Sequence, residues 1–519
     1  MTSVPPAASP RPKNESGKAE EKLFSGHPPG VLLVSGTEMW ERFSYFGLSA
    51  LLVLFLVAPV ASGGFAWDKA EAVRLYGLYS GLAFSAPAIG GWIASRYLGE
   101  RRSIVIGGIL ITLGHALIGV TGLGPWLVEA LFGLPAKQVI AGAAVPVGEL
   151  FPGAEVWEAL RVSALAGGHL ELSAGRPMLP LYLAYLSKGW GLVLGLGFVI
   201  VGTAFLKGPI SSIIGKLYEK GDSRREAGFT IFMMGIWAGA LLAEFVVGVI
   251  GEHVGWHAGL AVAGLGMAGG LTNYLLKQNA VLGDVGKTAE LRAVVEAGRP
   301  SFHLDRQERR RVGALAVMAV FTVIFSAAYN QYGGVWNLVV YENADRDVGG
   351  FKVPAAWFIA VTTLGFILLA PVALRVYRLL ARRGYELDVV HKQALGLASI
   401  AIGYAILLVP STQLDTDPQR LISSGWIVGA YVFFALGDVF IWPPQITAIS
   451  RLAPERYQAF MIGLWYVTYG LGGIIAGYIA PLAYSWGLGL FTAAILAACA
   501  TVSAVLLIIR PNLRRLMAA

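Results

Sequence analysis

The chain has 519 residues, 56% of them hydrophobic and only 14% charged, with a formal net charge of +8. Soluble domains carry about 25% charged residues, so this composition argues against one large soluble core and for a polytopic membrane protein. The positive charge is placed in alternate connections (the N-terminal tail, 96–102, 216–225, 277–311, 375–392, 451–456 and 510–515), which is the positive-inside pattern of a membrane protein. Basic patches with interleaved aromatics are absent, which excludes nucleic acid as an expected partner. One cysteine, Cys499, and seven scattered histidines exclude an internal disulfide and give no metal-ligand spacing.

In chain order, residues 1–29 are rich in Pro, Ser, Lys and Glu and are expected to form a disordered cytoplasmic tail rather than a secretory signal. A membrane span needs about 20 apolar residues. Twelve segments qualify: 31–58, 72–95, 103–124, 182–207, 227–250, 257–276, 313–340, 354–377, 391–410, 423–449, 458–482 and 486–509. With the N-terminus inside, every basic connection falls on the cytoplasmic side. The expected domains are an N-terminal six-helix bundle (30–276) with an external insertion (125–181), a cytoplasmic linker (277–312), a C-terminal six-helix bundle (313–510) and a cytoplasmic tail (511–519). The insertion contains amphipathic stretches at 125–133 and 155–165, read as short surface helices or a re-entrant hairpin.

The first span carries Glu38, Glu41 and Arg42 near its middle. A mid-bilayer charge costs about 2.5–3.5 kcal/mol even on lenient insertion scales, so such residues face a protein interior or a watery cavity. Positions 38, 41, 42 and 45 share one helical face, which puts Tyr45 beside the charges. An inert packing ion pair is the bland reading, but buried pairs barely repay their desolvation. Two acids beside one cation leave a surplus negative charge that Lys207, on the fourth span, could neutralise. Lys207 precedes Gly208-Pro209; otherwise it reads as a lysine snorkelling at a helix end.

Further along, Glu244 lies seven residues after Trp237 and shares its face, with exposure to the outer headgroup region as the competing reading. Asp438 is flanked mainly by apolar residues next to Pro443-Pro444 and is read as a cation- or proton-binding acid, or as a kink residue. His115 is read as structural.

The two halves also repeat each other. Gly202…Lys207-Gly208-Pro209 parallels Gly437…Trp442-Pro443-Pro444, Gly235-Ile236-Trp237 parallels Gly463-Leu464-Trp465, and Ala86-Pro87 parallels Ala370-Pro371, each six spans apart. Two homologous six-helix bundles are the signature of major-facilitator transporters, with the substrate site near midplane between them. The repeat places Trp237 and Trp465 across that cavity.

The run Glu38-x-x-Glu41-Arg42-Phe43-x-Tyr45 resembles the first-helix signature of the proton-dependent oligopeptide transporters (the POT or PTR family). Gly90 to Arg96 through Arg101-Arg102, Gly202-Thr203 through Lys207, Ala227 to Phe232, and Gly437-Asp438 through Pro454 are also similar to that family. The resemblance covers all twelve spans and neither the tail nor the insertion. It implies the all-α major-facilitator fold and proton symport of di- and tripeptides, with protons as the coupling ion and no other cofactor. It implies that Arg42 and Lys207 hold a peptide carboxylate and that Glu38, Glu41 and Lys207 take part in proton coupling. Arg96, Arg101 and Arg102 look like the cytoplasmic gating clamp, with Ser95 where an aspartate is common.

Where the family has an asparagine in the fifth helix, this chain has Trp237. Phe46 and Phe84 replace tyrosines, Asn330 replaces an acid, Thr362-Thr363 replaces Asn-Pro, Asp438 replaces a glutamate, and Trp442 replaces a nearby serine. Glu244 lies outside the family pattern and could replace the acid lost at Asn330. The carboxylate end of a peptide site is therefore retained and the amino end rebuilt. The expected protein is a non-enzymatic, monomeric, proton-coupled importer of small peptides or peptide-like carboxylates in a bacterial inner membrane, both termini cytoplasmic. Proton coupling is expected at Glu38, Glu41, Lys207, Asp438 and Glu244; substrate contacts at Arg42, Tyr45, Lys207, Trp237, Asn330, Asp438 and Trp465. The alternatives are a transporter of a non-peptide organic anion or nitrate, and a nutrient sensor that has lost transport. No HExxH, Gly-x-Ser-x-Gly or paired Asp motif on the spans points to an intramembrane enzyme.

Overall fold

A computed structural model describes residues 26–59, 62–121, 130–131, 178–219, 222, 224–287, 304–454 and 457–518. Most of the expected tail, nearly all of the insertion and the middle of the linker lie outside the described residues. Twelve long helices run through the rest: α1 Pro29–Val57, α2 Lys69–Ile93, α3 Glu100–Val120, α4 Met178–Lys216, α5 Arg225–Val249, α6 Trp256–Leu282, α7 Arg306–Tyr329, α8 Ala355–Arg382, α9 Val389–Thr416, α10 Ser424–Leu452, α11 Gln458–Ile479 and α12 Leu488–Ala518. Eleven contain stretches long and apolar enough to cross a membrane. The exception is α2, which starts with Lys69, Glu71 and Arg74 and continues with many Gly, Ser and Tyr residues. It packs between α4 and α11 and depends less on a uniformly apolar surface.

Within α1–α6 the principal pairs are α1 with α5 and α6, α3 with α4 and α6, and α2 with α4. Adding six to every number gives the pairs of α7–α12: α7 with α11 and α12, α9 with α10 and α12, and α8 with α10. Two pseudo-symmetric six-helix bundles, the expected major-facilitator arrangement, follow from this repetition. The bundles meet mainly along α2–α11 and α5–α8, two contacts that the same symmetry exchanges.

Small residues set the closeness of those contacts, as they do between membrane helices in general. Gly77 and Gly81 of α2 face Gly470, Gly473 and Gly477 of α11; a Cβ on Gly81 would lie 2.6 Å from the Ile474 amide nitrogen. On the other side a Cβ on Gly248 of α5 would lie 2.6 Å from Ala356 Cβ of α8.

Polar ties also join the bundles at the end that carries the α1–α2, α5–α6 and α7–α8 connections. Lys69 pairs with Glu342 at 2.6 Å. Glu252, just after α5, pairs with Arg346 Nη1 at 2.7 Å and accepts the Ala355 backbone N–H at the start of α8 at 2.5 Å. Among the described residues these are the ion pairs that join the two bundles.

Two expected spans are modified by their own sequences. The segment 313–340, read as one helix, is broken: α7 stops at Tyr329, a 3₁₀ turn covers Asn330–Tyr332, and a nine-residue helix resumes at Val335–Asn343. Gly333-Gly334 lies in the break, and the Tyr76 hydroxyl of α2 fills the space a Cβ on Gly333 would need. The fourth span does not end at Lys207 but runs through Pro209 to Lys216. Proline withdraws one backbone donor there, while the Ser211 hydroxyl donates to the Gly208 carbonyl at 2.9 Å. Lys207 is thus an interior helical residue, nine positions from the end, rather than a snorkelling terminal one.

Candidate functional site

The charged face of α1 is enclosed because neighbouring helices come unusually close to it. Gly235 and Gly239 of α5 sit against the Ser35 and Met39 carbonyls, and Gly266 and Gly270 of α6 receive the rings of Phe43 and Trp40. Glu38, Glu41 and Arg42 are at most 3% exposed. Arg42 Nε lies 3.3 Å from Glu38 Oε1, and the guanidinium also pairs with Glu41. The Thr203 hydroxyl of α4 donates to Glu41 Oε1 at 3.4 Å. Glu38 Oε2 has no hydrogen-bond partner among the described residues. The Arg42 guanidinium carbon stands 5.1 Å from the centre of the Tyr45 ring.

Lys207 is within coulombic range of Arg42, Glu41 and Glu38. It does not pair with either carboxylate: among the described residues none lies within 4.0 Å of its ammonium. The ammonium instead rests over two rings, Phe84 of α2 at 4.8 Å and Tyr466 of α11 at 5.3 Å. The expected neutralising ion pair is therefore a cation–π seat built from both bundles. Two carboxylates, one paired guanidinium and one ring-seated ammonium sum to no net charge when all are ionised. A proton, or a substrate carboxylate, upsets that balance.

Aromatic side chains form the walls. Tyr45 stacks on Tyr79 and meets Phe84 edge-on at 5.9 Å. Phe84 contacts Trp442 at 6.2 Å and Tyr469 at 5.1 Å. Trp442 stands perpendicular to Trp465 at 4.7 Å. Trp465 is held by its indole N–H, which donates to Gln445 Oε1 at 2.5 Å; Thr322 donates to the same oxygen at 2.9 Å. Trp237 does not face Trp465. It stacks on Phe366 of α8 at 4.2 Å, an inter-bundle contact, whereas Trp465 meets Trp442, Tyr466 and Tyr469 within the C-terminal bundle.

Of the remaining expected site residues, Asn330 and Glu244 bridge the bundles. Asn330, at the break in α7, accepts from the Ser80 hydroxyl of α2 at 3.1 Å and donates to the Ser326 carbonyl and hydroxyl at 2.8 and 3.0 Å. Glu244 is 1% exposed, so it does not project outward as the competing reading had it. Its Oε1 accepts from the Thr363 hydroxyl of α8 at 2.8 Å, and its Oε2 has no partner among the described residues. Asp438 is buried, and its Oδ1 is likewise without a partner among the described residues. Tyr329, at the end of α7, lies within coulombic range of both Asp438 and Glu244.

The family model described as the POT family matches residues 101–282 and 285–488. The chain belongs to the POT family. Similar curated members include the peptide transporter YePEPT of Yersinia enterocolitica subsp. palearctica, 26% identical with 88% of each chain covered. The di-/tripeptide transporter of Lactococcus lactis subsp. cremoris is 25% identical, with 89% of this chain and 91% of that protein covered. Among solved structures, a peptide transporter POT in complex with sulfate superposes with a TM-score of 0.74 at 25% identity, covering 96% of this chain and 97% of that one. These POT relatives are transporters, which accords with a non-enzymatic membrane protein.

In this POT chain the three arginines of the expected gate point to different surroundings. Arg96 is exposed and stacks over Trp92 and Tyr97. Arg102 is exposed. Arg101 is buried and anchors the end of α6: it donates to the carbonyls of Val285 and Gly283 at 2.7 and 2.8 Å and to Asn279 at 3.3 Å. Arg101→Gln is expected to lower stability by about 1.5–3 kcal/mol through these charge-assisted bonds, read as a lower thermal midpoint with substrate affinity retained. A loss of affinity at unchanged stability would instead favour gating. His115 is fully buried where α3 packs on Gly264 of α6.

Sequence reasoning missed Ser80, Thr203, Thr363, Gln445, Tyr466 and Tyr469. Two had a usable signal. Thr203 lies one helical turn before Lys207, and Tyr469 one turn after Trp465, so each shares the face of a residue already singled out.

Proposed function

We propose that this protein imports small peptides or peptide-like carboxylates together with protons, by alternating access of the two bundles. The observation that carries the reading is the buried Glu38–Glu41–Arg42 cluster beside a ring-seated Lys207, at a point where α1, α2, α4 and α11 converge. Arg42 and Lys207 bind the substrate carboxylate in competition with Glu38 and Glu41, and protons from outside relieve the competing charge. Tyr45, Trp465 and Trp442 supply flat walls. The named activities of the POT relatives support a peptide as cargo. The positive-inside charge supports cytoplasmic termini; a monomer in a bacterial inner membrane is part of the same proposal.

Glu244 and Asp438 form the acidic side of the site, each with a buried oxygen that a substrate ammonium or a proton can satisfy. Glu244→Gln keeps an acceptor for Thr363 and removes the charge. It is expected to shift the pH optimum of uptake or the substrate preference, with stability changed by less than about 1 kcal/mol. An unaltered pH profile and selectivity would reduce Glu244 to a packing residue.

A second reading, a nitrate or small organic-anion transporter, is favoured by Asn330 and Trp237, whose polar and ring contacts are already taken up between the bundles. Uptake of labelled dialanine into proteoliposomes under an imposed pH gradient separates the two. Gradient-dependent uptake, competed by other dipeptides, is expected. Absence of uptake with no competition by any peptide, while labelled nitrate accumulates, would replace the peptide reading by the anion one.

A further inference from the structure

The C-terminal bundle has a second chemically distinctive place that shares no residue with the α1 cluster. At the end that carries the α8–α9 connection and the end of α12, the helices α8, α9, α10 and α12 leave a cleft of about 640 Å³. Its lining is apolar on α8 and α10, where Ala373, Val439, Pro443 and Pro444 face it. Three cations from three helices line the rest: Lys392 in the first turn of α9, Arg451 in the last turn of α10, and Arg514 near the end of α12.

The charge there is only partly compensated from within: one acid, Asp388, faces three cations. Asp388 is the one acid in the lining, and both of its oxygens are engaged: Oδ1 accepts the His391 backbone N–H at 2.9 Å, and Oδ2 accepts from Arg510 Nε at 2.9 Å. Among the described residues neither Arg451 nor Arg514 has a carboxylate within 4.0 Å. Lys392 rests over the Tyr377 ring at 4.3 Å, a contact that leaves its three N–H groups unspent. The Tyr377 hydroxyl, also in the lining, has no hydrogen-bond partner among the described residues.

Three like charges around one partly apolar volume repel one another unless an anion sits among them. Arginine forks and a compact ammonium are the donor set that suits tetrahedral phosphate oxygens. A basic pocket between helices, at the end where the sequence places the cytoplasmic surface, is also where an anionic headgroup would lie. We propose that this cleft binds a phosphate group through Lys392, Arg451 and Arg514, with the Tyr377 hydroxyl as a further donor. The group comes either from an anionic phospholipid or from a free phosphate compound. Val439 and Ala373 of the cleft also pack with Trp237 and Phe366 of the α5–α8 contact, so an occupant would brace the bundle interface.

The test uses the full-length purified protein. Native mass spectrometry measures retention of dioleoylphosphatidylglycerol against dioleoylphosphatidylcholine, and thermal unfolding measures stabilisation by inorganic phosphate against chloride at equal ionic strength. The variant Lys392→Gln/Arg451→Gln/Arg514→Gln is compared with Arg378→Gln/Arg382→Gln/Arg383→Gln, which removes the same charge from the exposed end of α8 outside the cleft. Preferential retention of the phosphatidylglycerol, weakened about tenfold or more in the cleft variant and nearly unchanged in the control, supports the site with a lipid source. Phosphate-specific stabilisation lost in the cleft variant alone, without lipid preference, supports it with a soluble source. No preference for either probe, or equal losses in both triple variants, overturns it. Lys392→Gln alone, expected to weaken the same signal about threefold to fivefold, keeps the test decisive if the triple variant does not fold.

Discussion

Arg42→Gln is expected to cost about 3–5 kcal/mol of stability at neutral pH, the penalty for breaking a buried charge pair and leaving its partners uncompensated. The reason lies in the geometry of α1. Glu38 and Glu41 are both essentially inaccessible to solvent, and the guanidinium contacts both. Glutamine can replace one hydrogen bond but not the charge. Two carboxylates would then share a site whose remaining cation, Lys207, lies beyond ion-pair distance. Protonating one of them removes the repulsion. The deficit relative to wild type should therefore shrink as pH falls from 8 toward 5, the direction in which the variant's carboxylates take up protons. Thermal unfolding of wild type and variant across that range checks it. Substrate affinity should also fall by about tenfold or more, the equivalent of one lost charge-assisted bond. A variant as stable as wild type at every pH would mean that the cluster is solvated or otherwise neutralised.

Lys207→Ala is expected to abolish accumulation driven by a pH gradient while leaving the protein folded. Alanine is a good helix former, and Lys207 sits inside α4, so the helix survives the change. What is lost is the ammonium over Phe84 and Tyr466, worth about 0.5–2 kcal/mol as a cation–π contact, and the charge that balances Glu38 and Glu41. Without it, the charge balance that a proton or a substrate carboxylate upsets is already lost. Counterflow exchange of labelled against unlabelled substrate, which needs no net proton movement, should be reduced less than accumulation. Wild-type accumulation in the variant would remove Lys207 from the coupling scheme. Arginine at this position should not restore coupling, because a broad planar guanidinium is not interchangeable with the compact ammonium.

The charges of α1 were legible because no apolar helix carries Glu38, Glu41 and Arg42 at helical spacing without a protein or aqueous environment to receive them. The bundle repeat was legible in three Gly- and Pro-containing intervals, and the pairing of helices follows that repeat. The partner of Lys207 was not legible. Phe84 and Tyr466 are distant in sequence from Lys207 and from each other, and a ring seat leaves no charge signature. The break in α7 had a signal, Gly333-Gly334, but hydropathy averages over it. The burial of Glu252 and Arg346 had none: acids and arginines at helix ends ordinarily read as solvated, and only the approach of α8 to the end of α5 encloses this pair. Glu244 was ambiguous for a related reason, since spacing fixes a helical face but not which helix covers it. Thr363 does.

The most direct measurement is substrate-induced proton entry into proteoliposomes that contain the purified protein and a trapped pH indicator, with no imposed gradient. Addition of a transported dipeptide outside should acidify the lumen in wild type and leave it unchanged in Lys207→Ala. Entry of labelled dipeptide with no acidification in wild type would contradict the proposed coupling of Glu38, Glu41 and Lys207 to the proton.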